Sequence, residues 1–130
     1  MRIGFIGVGN IGNPMAGQLL AAGHSLVVHD LRREAAANLL AAGATWAESP
    51  RTAAAQCEMI AVCLPGPSEM EAVTLGPAGI LEGLAAGAVC IDHTTNSPLL
   101  VRQVDAALRA RRCGHARRAC QRRHGRRADS

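Results

Sequence analysis

A doubly wound α/β domain built on a parallel sheet is the fold this chain predicts, and three observations carry the reading. Short apolar runs that end in glycine or proline alternate with stretches of helical spacing. Strands alternating with helices imply parallel pairing through right-handed crossovers. A glycine-rich turn, Gly7-Val8-Gly9-Asn10-Ile11-Gly12, sits between the first apolar run and the first helical stretch. Hydrophobic residues make up 48% of the chain with one Phe, one Trp and no Tyr, so the core is aliphatic. At 130 residues the chain has room for one ordinary domain.

The elements follow in order. Arg2–Val8 (R-I-G-F-I-G-V) reads as a buried parallel strand. Pro14–Ala22 carries Met15, Leu19 and Leu20 at helical spacing and stops at Gly23, where a positive φ is expected. Ser25–His29 is a second strand closed by Asp30, Arg33–Leu40 an Ala-rich helix stopped by Gly43, and Ala44–Trp46 a short strand. Ser49-Pro50 is a cap followed by proline at the first helical position, opening a helix through Ala55. Glu58–Leu64 (E-M-I-A-V-C-L) is a buried strand broken by Pro65-Gly66-Pro67. Ser68 is expected to cap the next helix with Glu71 as its capping-box partner. A short turn at Ile80–Leu84 and a strand at Ala88–Asp92 follow. Ser97-Pro98 repeats the cap-plus-proline signal and starts a helix through about Leu108.

Composition removes several function classes. No apolar run reaches the length of a membrane span, and the glycines near the N-terminus do not suit a signal peptide, so a cytoplasmic protein is expected. Cys57, Cys63, Cys90, Cys113 and Cys120 show no CxxC or metal-ligand spacing and read as structural thiols in a reducing compartment. Charge is split: residues 1–108 hold five arginines against nine acids, while 109–130 hold nine arginines against Asp129.

The glycine turn fits G-x-G-x-x-G in the context that gives the pattern meaning: after a strand, opening a helix, with Asp30 ending the next strand. Gly7 suits the tight turn, Gly9 lets a pyrophosphate approach the backbone, and Gly12 lets the helix lie close to the strand. Val8, Asn10 and Ile11 complete the loop, whose free N–H groups face the phosphates at the helix start. Asp30 can accept hydrogen bonds from the adenine-ribose hydroxyls, which places NAD ahead of NADP. Arg32 and Arg33 leave open the second choice, clamping a 2′-phosphate. Leu64 and Pro65 end a strand at the same carboxyl edge, where they contact the cofactor or simply form a turn. His93 reads as a polar loop residue or a proton carrier, and His24 and His29 carry no partner pattern.

Ile3 to Leu19 (I-G-F-I-G-V-G-N-I-G-N-P-M-A-G-Q-L) resembles the N-terminal signature of the β-hydroxyacid dehydrogenases, the group of 3-hydroxyisobutyrate and 6-phosphogluconate dehydrogenases. The Pro14-Met15-Ala16 extension makes the match more specific than the glycines alone, and Ile11 replaces the family's usual Met. Cys63–Gly66 (C-L-P-G) resembles the family's cofactor loop. Ile91–Pro98 (I-D-H-T-T-N-S-P) resembles its I-D-x-S-T-x-x-P segment, in which Thr95 matches the threonine near the nicotinamide. The resemblance implies a Rossmann domain and NAD(P)-dependent oxidation of a small β-hydroxyacid to its semialdehyde, or the reverse. It also implies a substrate segment, D-A-P-V-S-G-G, and a helical second domain supplying a catalytic lysine. This sequence holds no lysine.

The expected organisation is therefore a single incomplete Rossmann domain over 1–110 and an Arg-rich disordered tail over 111–130, without strand signal. Back-translated with GC-rich codons, Arg112–Arg127 read one base out of frame gives G-A-A-T-L-D-A-P-V-S-G-G-T-A-A, which restores the substrate segment and makes the tail an expected frameshift product. A chain ending there is expected to be inactive alone and to self-associate through exposed apolar surface. Two further readings stay open: a stand-alone dinucleotide-binding module without catalysis, and a nucleic-acid binder working through its tail. The tail lacks the aromatics that stack on bases.

Overall fold

The computed structural model describes residues 2–93 and 98–117. Six strands, β1 (Arg2–Ile6), β2 (Ser25–His29), β3 (Thr45–Trp46), β4 (Met59–Val62), β5 (Val89–Asp92) and β6 (Gly114–Arg117), pair in parallel into one sheet. Their order is β3-β2-β1-β4-β5-β6, the doubly wound arrangement. The helices are α1 (Gly12–Ala21), α2 (Ala37–Ala41), α3 (Pro50–Ala55), α4 (Pro67–Leu75), α5 (Ile80–Gly83) and α6 (Pro98–Ala110). The chain winds outward from β1 to β3, then returns through α3 to lay β4 on the other side of β1. That reversal leaves a crevice above the carboxyl ends of β1 and β4, where ligands bind in such sheets.

Alternation along each strand divides the core into two layers. Ile3, Phe5, Leu26, Val28 and Ala61 face one side with Ala16 of α1 and Leu39 of α2. Ile6, Val27, Ile60, Val62 and Cys90 face the other with Met70 of α4, Ile80 of α5 and Val104 of α6. Apolar runs without a polar face thus follow from coverage on both sides. β1 fixes the register at the centre: Phe5 lies beside Val28 on one flank and Ala61 on the other.

Three local expectations need correction. The helix expected over Arg33–Leu40 divides into a 3-10 turn at Arg33–Ala36 and α2. The capping box at Ser68 and Glu71 does not form. α4 starts at Pro67 with Gly66 as its N-cap, because proline's fixed φ already suits the first helical position and draws Ser68 into the first turn. Ser68 Oγ instead donates to Glu69 Oε1 at 3.2 Å. By contrast Ser49 caps α3 as its pattern implied, its hydroxyl accepting the Thr52 N–H at 3.1 Å.

The third correction is at the C-terminal end. From Arg111 a strandless tail was expected, yet Gly114–Arg117 forms β6 against β5. A parallel ladder is made by backbone N–H and C=O groups, which this segment supplies regardless of its side chains. Cys113 is buried beside Leu108 of α6, and its N–H returns to the Leu108 carbonyl at 2.9 Å. Residues 118–130, the rest of the expected tail, lie outside the described residues. Among those described, Cys57, Cys63, Cys90 and Cys113 form no disulfide, and no helix is long and apolar enough to cross a membrane.

Candidate functional site

At the end of β1 the chain turns sharply through Gly7, whose φ of 91° favours glycine. A Cβ there would also collide with the Cys63 carbonyl. Gly12 is confined differently: a Cβ on it would strike the Gly7 carbonyl and crowd the Phe5 ring, so α1 lies directly on its own strand. A Cβ on Gly9 would meet no atom of the described residues within 4 Å, so among them the space above Gly9 is kept open. α1 begins beside that space with Ile11 at its N-cap, no side-chain cap and no acid in its first turn. The Asn13 N–H already returns to the Gly9 carbonyl at 2.9 Å, and Pro14 has no N–H. It is therefore the N–H groups of Ile11 and Gly12 that face an anion at the helix start.

Asp30, just past β2, is held by the backbone on both sides. Its Oδ2 accepts the Val8 N–H at 2.9 Å and its Oδ1 accepts the Arg32 N–H at 3.1 Å. This pins the glycine loop to the end of β2 while leaving each carboxylate oxygen a further lone pair. A second tie joins the same regions. Asn13 Nδ2 donates to the Ala35 carbonyl at 3.0 Å, and Asn13 and Asn38 exchange amide hydrogen bonds at 2.9 Å.

These elements enclose a cavity of about 580 Å³ at the crevice. Gly7, Gly9, Asn10, Ile11, Gly12, Asp30, Leu64 and Pro65 all line it, so the structure gathers these sequence-selected residues in one place. Val8 does not line it: its side chain is buried in the core and its N–H is committed to Asp30. Thr95 lies outside the described residues. His93 sits at the same sheet edge, anchored by its N–H on the Val62 carbonyl at 2.8 Å, but is not part of the wall. His29 is buried, with Nδ1 bonded to the Ala47 carbonyl at 2.9 Å, and it also contributes to the cavity wall.

The wall includes residues that no motif marked. Leu31 is 93% exposed and joins Ile11 of the glycine loop, itself 57% exposed, so two large apolar side chains stand open at the cavity. Ala72 and Val73 of α4 form the opposite wall with Glu69. The helix was expected from the break at Pro65-Gly66-Pro67 and the cap at Ser68, but its position over the crevice depends on the crossover through α3.

Charge around the mouth is arranged in pairs. Arg32 lines the cavity, yet its guanidinium Nε meets Glu34 Oε2 at 3.3 Å. The backbone hydrogen bond at Glu34 and that of Arg32 hold the Glu34 carboxyl below the usual carboxylate range. The Arg33 guanidinium rests over the Trp46 ring, 5.4 Å from its centroid.

A six-stranded sheet of this order, with a glycine turn and an open helix start at its switch point, defines a Rossmann-type dinucleotide-binding domain. Residues 2–116 match the family described as the NAD binding domain of 6-phosphogluconate dehydrogenase, and the chain belongs to that family. It is 40% identical over 109 residues to 3-sulfolactaldehyde reductase of Escherichia coli K12, covering 84% of this chain and 37% of that protein. It is 38% identical over 110 residues to the NAD-dependent L-serine dehydrogenase of Pseudomonas aeruginosa, covering 85% of this chain and 37% of the relative. The solved 3-hydroxyisobutyrate dehydrogenase of Mycobacterium tuberculosis, with L-serine, superposes with a TM-score of 0.80 at 27% identity, over 91% of this chain and 40% of that one. The chain thus spans under half the length of these relatives, and the part it shares with them is the NAD(P)-binding domain.

Proposed function

We propose that this chain binds NAD at the crevice as the cofactor half of an oxidoreductase interconverting a small β-hydroxyacid and its semialdehyde. The space above Gly9, beside the uncapped start of α1, carries the reading. Gly7, Gly9, Asn10, Ile11 and Gly12 hold the pyrophosphate, the spare lone pairs of Asp30 take the adenine-ribose hydroxyls, and Leu64 and Pro65 form the facing wall. Val8 acts through its hydrogen bond to Asp30, and Thr95 is assigned to the nicotinamide end on its resemblance alone. When bound, NAD supplies the hydride acceptor; the chain's own residues bind and orient it and exclude water.

A hydroxyacid also needs a proton acceptor and a substrate pocket. The sequence has no lysine, so the acid–base lysine implied by the resemblance has to come from residues beyond this chain. In this reading residues 2–117 are the cofactor domain, 118–130 are an Arg-rich appendage, and the compartment is the cytoplasm.

Calorimetric titration of NADH and NADPH into wild type, Gly9→Ala and Asp30→Ala tests the proposal. Tighter binding of NADH than of NADPH by wild type, weakened in both variants, is expected. Failure of wild type to bind either dinucleotide would overturn the assignment.

A further inference from the structure

Asp30 alone does not account for the arrangement at the mouth of the cavity. Arg32 is the next residue but one, its N–H is bonded to the Asp30 carboxylate, and its side chain lines the same cavity. Asp30 and Arg32 line one cavity, so a 2′-phosphate on a ribose held by Asp30 would have a guanidinium to recruit there. The Arg32 side chain is 73% exposed, so little packing restrains it. What holds it in the structure is Glu34, at 3.3 Å. Arg33, the neighbouring cation, rests over Trp46.

We propose that Glu34 is a specificity-determining residue, a positioning carboxylate that keeps the Arg32 guanidinium from a 2′-phosphate and so reinforces the discrimination begun by Asp30. The inference rests on the cofactor reading above and deepens it. Two carboxylates act in different ways: Asp30 repels the extra phosphate directly, and Glu34 occupies the group that would attract it. Glu34 stays ionised at neutral pH, because its own backbone hydrogen bond and the one from Arg32 favour the carboxylate. Its side chain is 70% exposed, so replacing it leaves the fold intact. An exposed ion pair contributes little, which sets the size of the effect.

The test measures dissociation constants of NADH and NADPH for wild type, Glu34→Gln, Arg32→Ala and the double variant. Glu34→Gln is expected to tighten NADPH binding about two- to fivefold, the range open to a surface pair. NADH binding should be unchanged in that variant, and the NADPH gain should vanish when Arg32 is alanine. Absence of a gain overturns the proposal. So does a gain that persists without Arg32, which would make it the loss of a negative charge and nothing more. A wild-type preference for NADPH overturns it as well. Failure of wild type to bind either dinucleotide would instead strike the cofactor reading, and this proposal with it.

Discussion

At Gly12 an added methyl group would meet the Gly7 carbonyl, whereas at Gly9 it would meet no atom of the described residues. Substitution should therefore separate folding from binding. Gly12→Ala is expected to lower stability by about 1–3 kcal/mol, the usual penalty for overpacking. Gly9→Ala should unfold at the same urea concentration as wild type yet bind NADH at least about tenfold more weakly, since the alanine fills space kept for phosphate. Equal loss of stability in both variants would show that Gly9 serves the fold. The buried thiols make a second prediction. Burial pushes Cys90 up to about 12 and Cys57 up to about 11, from an ordinary value of 9.0. Above pH 9 the unfolded chain loses these protons first, so it binds fewer than the folded chain and stability falls as pH rises. The contribution is complete below the unfolded value of 9.0 and is lost as pH climbs through about 11 to 12. Urea midpoints measured from pH 8 to 10.5 should decline above 9, with a shallower decline in Cys90→Ala; an unchanged slope would exclude that thiol as a cause.

β6 joins the sheet with side chains that do little to recommend it. His115 has a side chain only 4% exposed, with Nδ1 at 3.5 Å from Asp105 Oδ1 and a buried Nε2 that finds no partner among the described residues. Asp105 keeps the closer Arg109 Nε at 3.0 Å in any case. His115→Leu is therefore expected to hold or raise stability, by up to about 1 kcal/mol, because an orphaned polar group leaves the interior. A loss of that size by thermal or urea denaturation would mean that the Asp105 contact anchors the strand. The strand was illegible because sequence patterning reports burial, whereas backbone pairing at a sheet edge needs none. Where a signal was physical and local, the reading was sound: Ser49-Pro50 named a cap and the cap forms. Ser68 offered a capping box with Glu71, but Pro67 had already set the helix start one residue earlier.

The molecule as a whole is organised around one reversal. α3 carries the chain from β3 back across the sheet, and the cavity exists because β4 lands beside β1. Because the glycine loop, Asp30 and α4 are already in place around it, cofactor binding should select the folded state with little rearrangement. At about a hundred times its dissociation constant NADH should add about 2.7 kcal/mol, raising the melting temperature by roughly 10 °C. Gly9→Ala should abolish the shift at the same cofactor concentration, which scanning fluorimetry can read directly. A rise that survives the substitution would place binding away from the loop.

The sequence by itself determined what short-range physics controls. Alternating apolar runs and helical stretches named a doubly wound sheet, and the glycine turn with Asp30 at the end of the next strand named segments that meet at one cavity. Only the tertiary structure decided what depends on elements meeting across the crevice. It placed Ala72 and Val73 opposite the loop and committed the Val8 N–H to Asp30. It turned Arg32 to Glu34 and drew β6 onto the sheet edge. Those contacts join residues whose letters carry no mark of one another, because pairing of backbone groups and swing of a long side chain leave no period in a sequence.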